Sequence, residues 1–223
     1  MTRARQELSR QEVLEAEGVL AITRRRAPTP GTEPGANARD EEDVFVAVFD
    51  DGSVAAFNGH VDLGTGIRTA LAQIVAEELD VPLDAVTVVL GHTGRAPDQG
   101  PTIASETIQI SAVPLRQAAA EARRVLLAIA AARLGTDALT VRDGVVLSPD
   151  GRGLSYAELL RGAREVVPLS GTAPLKRVED YRIVGKPVPR VDIPAKATGG
   201  LTFVHDVRVP GMLHGRVVRP PYS

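Results

Sequence analysis

The chain has 223 residues, enough for one sizeable core and a second small unit. Hydrophobic residues make up 43%, charged residues 24% and aromatics only 3%, so the chain reads as globular with an aliphatic core. A net charge of -2 gives no electrostatic case for nucleic acid or an acidic membrane, and zero cysteines exclude disulfides, iron–sulfur ligation and zinc–thiolate sites within the chain.

Residues 1–42 read as a flexible N-terminal segment. "RQELSRQEVLEAEGVLAI" suits a short amphipathic helix at most, and "RRRAPTPGTEPGANARDEED" is a Pro-, Gly- and charge-rich linker. The arginines of "ITRRRAPTPG" are followed by no apolar stretch, and no run approaches the roughly 20 apolar residues of a membrane span. A cytoplasmic protein without a membrane span is therefore expected.

A folded domain is expected over residues 43–160. "VFVAVFDDGSVAAF" places two apolar runs around Asp51-Gly52, a strong hairpin signal. Ile67, Leu71, Ile74, Val75 and Leu79 then recur at helical spacing up to Pro82, and "AVTVVL" reads as a short buried strand. "ETIQISAVPLRQAAAEARRVLLAIAAARLG" carries the longest helical pattern; Pro114 either starts that helix or kinks a longer one, and Gly135 ends it. A hairpin follows at Asp143-Gly144, then a helical turn capped by Ser155 and Glu158. Residues 161–190 lack a period and read as an extended connector. A last unit, 191–223, suggests two strands separated by Pro210-Gly211. The order predicts an α+β fold, with helices on one face of a small sheet.

Two loops each open a helix. In the first, Gly64-Thr65-Gly66 leaves bare backbone beside the unpaired N–H groups of a helix start, which suits a phosphate or another polar cofactor edge. It is not a Walker loop, because no Lys-Ser/Thr follows, and Thr69 stands where GxGxxG needs its last glycine. A tight turn is the simpler reading on spacing alone. In the second, Thr102, Ser105 and Thr107 offer hydroxyls to a helix terminus or to a ligand. The two loops make one site only if the fold brings both helix starts together. His60, His92, His205 and His214 show no metal-ligand spacing and read as surface or structural residues. Glu77-Glu78 and Glu41-Glu42 read as solvated faces or linker charge. No nucleophile elbow or acid–base pair is visible, so no catalytic and no metal-ligating residue is assigned.

The blocks "GHVDLGTGIRTALAQIVAEELDVPLDAV", "PDQGPTIASETIQIS" and "LRQAAAEARRVLL", in that order, resemble the molybdopterin-binding large subunit of the xanthine dehydrogenase and aldehyde oxidase family. The likeness is to its isoquinoline oxidoreductase and nicotinate dehydrogenase branch. "YRIVGKPVPRVDIPAKATGGLTFVHDVRVPGMLHGRVVRPP" resembles the start of that branch's α/β hammerhead-like unit, so the likeness runs over about residues 43–223. It implies a small mixed sheet built from hairpins with two main helices packed on it, followed by the opening of the hammerhead-like unit. It also implies a molybdenum–pyranopterin cofactor, with or without a cytosine dinucleotide tail. Gly64, Thr65 and Gly66 match the family's cofactor turn, and Thr102, Ala104, Ser105 and Thr107 match its second cofactor loop.

Two positions depart from the family pattern. Thr65 stands where glutamine is usual and cannot offer both an amide donor and a carbonyl acceptor. His92 stands where an acidic residue is usual. The family's general-base glutamate lies in a C-terminal motif not present here. The resemblance therefore implies the cofactor-binding portion of a molybdenum hydroxylase, which oxidatively hydroxylates N-heteroaromatics or aldehydes with water-derived oxygen, and which is inactive alone. Its implied partners are the remaining C-terminal part of the large subunit, an iron–sulfur small subunit, and a flavin or cytochrome electron acceptor. The alternatives are a non-catalytic remnant acting as a protein-interaction module, and a generic phosphate binder at the Gly64–Gly66 helix start.

Overall fold

The computed structural model describes residue 5, residues 7–26 and residues 42–222. It divides into two units, residues 1–188 and residues 189–223.

The first unit is built on a five-stranded mixed sheet in the order β4-β3-β2-β1-β8. Its strands are β1 (Val19–Arg25), β2 (Glu42–Phe49), β3 (Val54–Asn58), β4 (Val86–Leu90) and β8 (Arg164–Pro168). β2 and β3 form the hairpin expected at Asp51-Gly52, with Val48 opposite Val54 and Gly52 at φ +81°. β1 runs antiparallel to β2, whereas β4 and β8 run parallel to their neighbours. Helix α1 (Arg10–Glu15) precedes β1, α2 (Ile67–Leu79) links β3 to β4, and α3 (Ala112–Leu134) follows the second loop.

Both faces of the sheet are covered, which is why its inner strands read as nearly unbroken apolar runs. On one face Leu20, Ile22, Val46 and Val48 pack with Leu71, Val75 and Leu79 of α2 and Leu115 and Leu126 of α3. On the other, Val19, Ala21, Ala47, Phe49 and Phe57 pack with Val13 and Leu14 of α1. A bulge opposite Ile22 and Thr23 inserts Phe45, so Phe45 and Val46 both join the first core and the alternation shifts by one. A three-stranded antiparallel sheet completes the unit: β5 (Thr140–Arg142), β6 (Val145–Leu147) and β7 (Gly153–Ser155). Its turn has Asp143 and Gly144 both left-handed, and α4 (Tyr156–Leu160) begins with the expected Ser155–Glu158 capping box.

Several expectations need correction. Residues 10–25, expected to form a short amphipathic helix at most, hold the helix α1 and also the strand β1. Ser9 and Glu12 form a capping box, and "VLAI" buries as an inner strand. The linker expectation over residues 27–41, including Glu41, lies outside the described residues. The connector expected at 161–190 contains β8, whose ladder with β1 pairs residues far apart in sequence and leaves no local period. Pro114 falls at the third residue of α3, just after a π-helical turn at Thr107–Ser111. Its missing N–H sits where the ladder changes from π to α spacing.

Glu77 and Glu78 are not a solvated face: they are 2% and 1% exposed. Glu77 accepts from Lys176 Nζ at 2.8 Å and from the N–H groups of Arg182, Ile183 and Val184, and Glu78 accepts from Arg116 Nε at 2.7 Å. Most of these partners lie about a hundred positions away, so nothing near the two glutamates in sequence announces the pairing.

In the second unit, α5 (Ile193–Ala197) is the only helix longer than a single 3₁₀ turn among the described residues, and no described residue is buried. The two strands expected around Pro210-Gly211 do not form. A strand needs a partner ladder, and the described residues of this unit supply none.

Candidate functional site

Parallel pairing of β3 and β4 brings their C-terminal ends together, with Asn58 beside Leu90. The loop leaving β3 opens α2, and the loop leaving β4 opens the π turn and α3. Both helix starts therefore gather at one end of the sheet, where open α/β sheets hold their ligands. The condition that spacing left open is met: the two loops face each other across one cleft of about 530 Å³. Thr65, Thr102, Ala104, Ser105 and Thr107 line it, and Leu63, Ile67, Ile103 and Ile108 supply its apolar walls. Gly64 and Gly66 shape the turn beside Thr65 without lining the cleft.

Asp62 decides what the first loop can do. Its Oδ1 accepts from Gly64 N at 2.9 Å and Gly66 N at 3.2 Å, and its Oδ2 accepts from Arg68 N at 3.3 Å. A carboxylate of the chain itself thus holds the start of α2, where a bound phosphate would otherwise sit. A second anion there would meet like charge, which removes the generic phosphate-binding reading of this turn. Gly66, the N-cap, is left-handed at φ +80° and makes no side-chain cap, leaving that role to Asp62.

The second loop is fixed from beneath. Gln99 accepts from Gly59 N at 2.8 Å and donates to Ser111 O at 2.9 Å. Asn58 accepts from His60 N at 3.0 Å and donates to Ser111 O at 3.1 Å. Thr102 Oγ1 accepts from Val61 N at 2.9 Å and ties the loops directly. They approach so closely at Gly59 that a Cβ there would lie 2.3 Å from Pro97 O, so only glycine fits. Ala104 and Ser105 are both left-handed, at φ +49° and +60°. Each costs about 1–2 kcal/mol relative to a right-handed residue, and together they turn the loop across the cleft mouth.

His60, Asn58, Gln99 and Ser111 were absent from the residues singled out as binding candidates. His60 is 1% exposed, a structural histidine. The signal available was only its place beside the glycine turn. His92 does not share this cleft; it borders a separate hollow of about 320 Å³ with Arg26, Thr93 and Asp98.

The cleft combines hydroxyls from both loops with apolar side chains, among them half-exposed Ile103 and Ile108 and exposed Leu63. Such a lining suits a partly polar ligand held by a few hydrogen bonds. It contains no carboxylate or imidazole to move a proton. Among the described residues no three His, Asp or Glu side chains stand close enough together to hold a metal ion.

A family model described as a molybdopterin cofactor-binding domain matches residues 2–195. The chain is 56% identical to a nicotinate dehydrogenase subunit of Pseudomonas putida, over 100% of this chain and 19% of that protein. It is 34% identical to the beta subunit of isoquinoline 1-oxidoreductase from Brevundimonas diminuta, over 81% of this chain and 28% of that protein. Among solved structures it is similar to a CO dehydrogenase from Oligotropha carboxidovorans, at 23% identity and a TM-score of 0.47, covering 71% of this chain and 21% of that one. The chain thus spans less than a third of the length of these relatives.

Proposed function

The chain belongs to the molybdopterin cofactor-binding domain family, and on that premise we propose that the cleft between the two loops is where the pterin lies. The observation that carries this is the convergence of Thr65, Thr102, Ala104, Ser105 and Thr107 on one cleft with apolar walls. The hydroxyls lining the cleft would bond the pterin's heteroatoms, and Leu63, Ile103 and Ile108 would pack against it. When bound, the cofactor supplies the two-electron chemistry at molybdenum. The chain's residues bind and orient it, and the cleft lining offers no base of its own.

Thr65 reaches less far than the glutamine usual at its position and leaves more room on that side. Asp62 keeps phosphate from the start of α2, so a cytosine dinucleotide tail, if the cofactor carries one, would extend away from that turn. The activity proposed for the whole protein is oxidative hydroxylation of an N-heteroaromatic compound or aldehyde in the cytoplasm. That work needs further segments of the large subunit, an iron–sulfur subunit and a flavin or cytochrome acceptor. No helix among the described residues is long and apolar enough to cross a membrane.

Thr65→Trp tests the cleft directly. Thr65 is exposed on its loop, so the indole fills the cleft without disturbing the core. Pterin released from the purified protein is expected to fall about tenfold or more while the melting temperature holds, a loss of about 1.4 kcal/mol or more in binding. Unchanged pterin content would move the cofactor elsewhere.

A further inference from the structure

Beneath the cleft, one buried imidazole meets a lining hydroxyl. His60 Nδ1 lies 2.8 Å from Thr107 Oγ1 and 3.3 Å from Ser111 Oγ. The Ser111 hydroxyl also lies 3.1 Å from the Thr107 carbonyl, to which it donates. A serine hydroxyl has one hydrogen. With that hydrogen spent on the carbonyl, Ser111 Oγ can meet the imidazole only as an acceptor, so Nδ1 carries the ring hydrogen. The opposite tautomer would set the Nδ1 lone pair against the Ser111 lone pair. It would also ask one lone pair to serve two hydroxyls if Ser111 turned toward it.

The assignment that uses all three contacts has Nδ1–H donating to Thr107 Oγ1, with Ser111 Oγ as a weaker second acceptor. Thr107 then keeps its own hydroxyl hydrogen for another partner, and Thr107 lines the cleft. The imidazole is itself held: Asn58 accepts its backbone N–H, and Asn58 and Gln99 both grip the carbonyl of Ser111. The π-helical turn at Thr107–Ser111 puts both hydroxyls on the imidazole's side.

We propose that His60 is a positioning residue that leaves the Thr107 hydroxyl hydrogen to be donated into the cleft, so that the cleft favours a ligand edge that accepts at Thr107. This rests on the cleft being the pterin site, and it specifies the recognised edge: a ring carbonyl, an unprotonated ring nitrogen or a phosphate oxygen. The Nε2–H tautomer would present a lone pair there instead and select an amine or a protonated ring nitrogen.

Two measurements test it. A long-range ¹H–¹⁵N correlation spectrum of the cofactor-free chain, with the signal assigned by its loss in His60→Asn, shows which ring nitrogen carries hydrogen. Nδ1–H is expected; Nε2–H overturns the proposal whether or not any pterin binds. The second measurement is pterin retained after purification. His60→Asn puts an amide N–H near the place of Nδ1–H and is expected to retain pterin, whereas His60→Phe and the nearly isosteric Thr107→Val each lose about tenfold. The double variant His60→Phe/Thr107→Val is expected to lose no more than Thr107→Val alone, because both changes act through the one Thr107 hydroxyl. Retention by Thr107→Val equal to the parent overturns the proposal even if His60→Phe fails to fold. Absence of pterin from the parent protein counts against the cleft reading instead, and leaves the tautomer result to decide the hydrogen-bond assignment.

Discussion

Asp62 shows how one side chain redirects the meaning of a glycine turn. Gly64-Thr65-Gly66 beside a helix start suggests an anion cradle, yet its amides already serve the carboxylate two residues upstream. Asp62→Ala is expected to destabilise the chain by about 1 kcal/mol, seen as a lower urea midpoint with an unchanged slope. An unchanged midpoint would mean that Asp62 does not hold the turn. The sequence displays Asp62 openly, but an Asx-type cap is legible only once the loop's path is known. Thr102 and Thr107 were legible as hydroxyls near a helix, while their division of labour was not: one accepts from the opposite loop, the other sits over a buried imidazole.

At the scale of elements, the hairpin at Asp51-Gly52, helices α2 and α3, the hairpin at Asp143-Gly144 and the Ser155 cap all follow local rules and were readable. What escaped reading depends on distant partners. β8 forms only because β1 lies beside it, and Glu77 is buried only because residues 176–184 fold over α2. That latch has a pH signature. Burial raises the Glu77 carboxyl, but the Lys176 ammonium and three backbone N–H groups outweigh it and hold the group below its ordinary value. A depressed carboxyl contributes stability above its unfolded value, about 4.3, and loses it as pH falls through the lower folded value. Glu77→Gln is expected to cost about 2 kcal/mol at neutral pH. Its melting temperature should also fall less steeply than the parent's below about pH 4.3. Parallel curves for the two proteins would show that Glu77 is not the group responsible.

For the whole molecule, the topology explains why a cleft exists where it does. Parallel β3 and β4 deliver two loops and two helix starts to one sheet end, and Gly59, Gln99 and Thr102 close the distance between them. Pattern reading could find each loop, and resemblance could connect them to a cofactor, but only the strand pairing puts them face to face. The second unit stands apart in this respect: Val204, Leu213, Val217 and Val218 are all more than three-quarters exposed.

The central claim is that this chain takes part in holding molybdopterin. The most direct measurement is molybdenum and released pterin, quantified in protein made in cofactor-competent cells with and without the genes flanking its own. Near-stoichiometric molybdenum and pterin are expected in the complex purified through this chain, and both should be lost on Thr65→Trp. A folded complex with no molybdenum or pterin in either preparation would contradict the claim, and would leave the cleft as the interface of a non-catalytic interaction module.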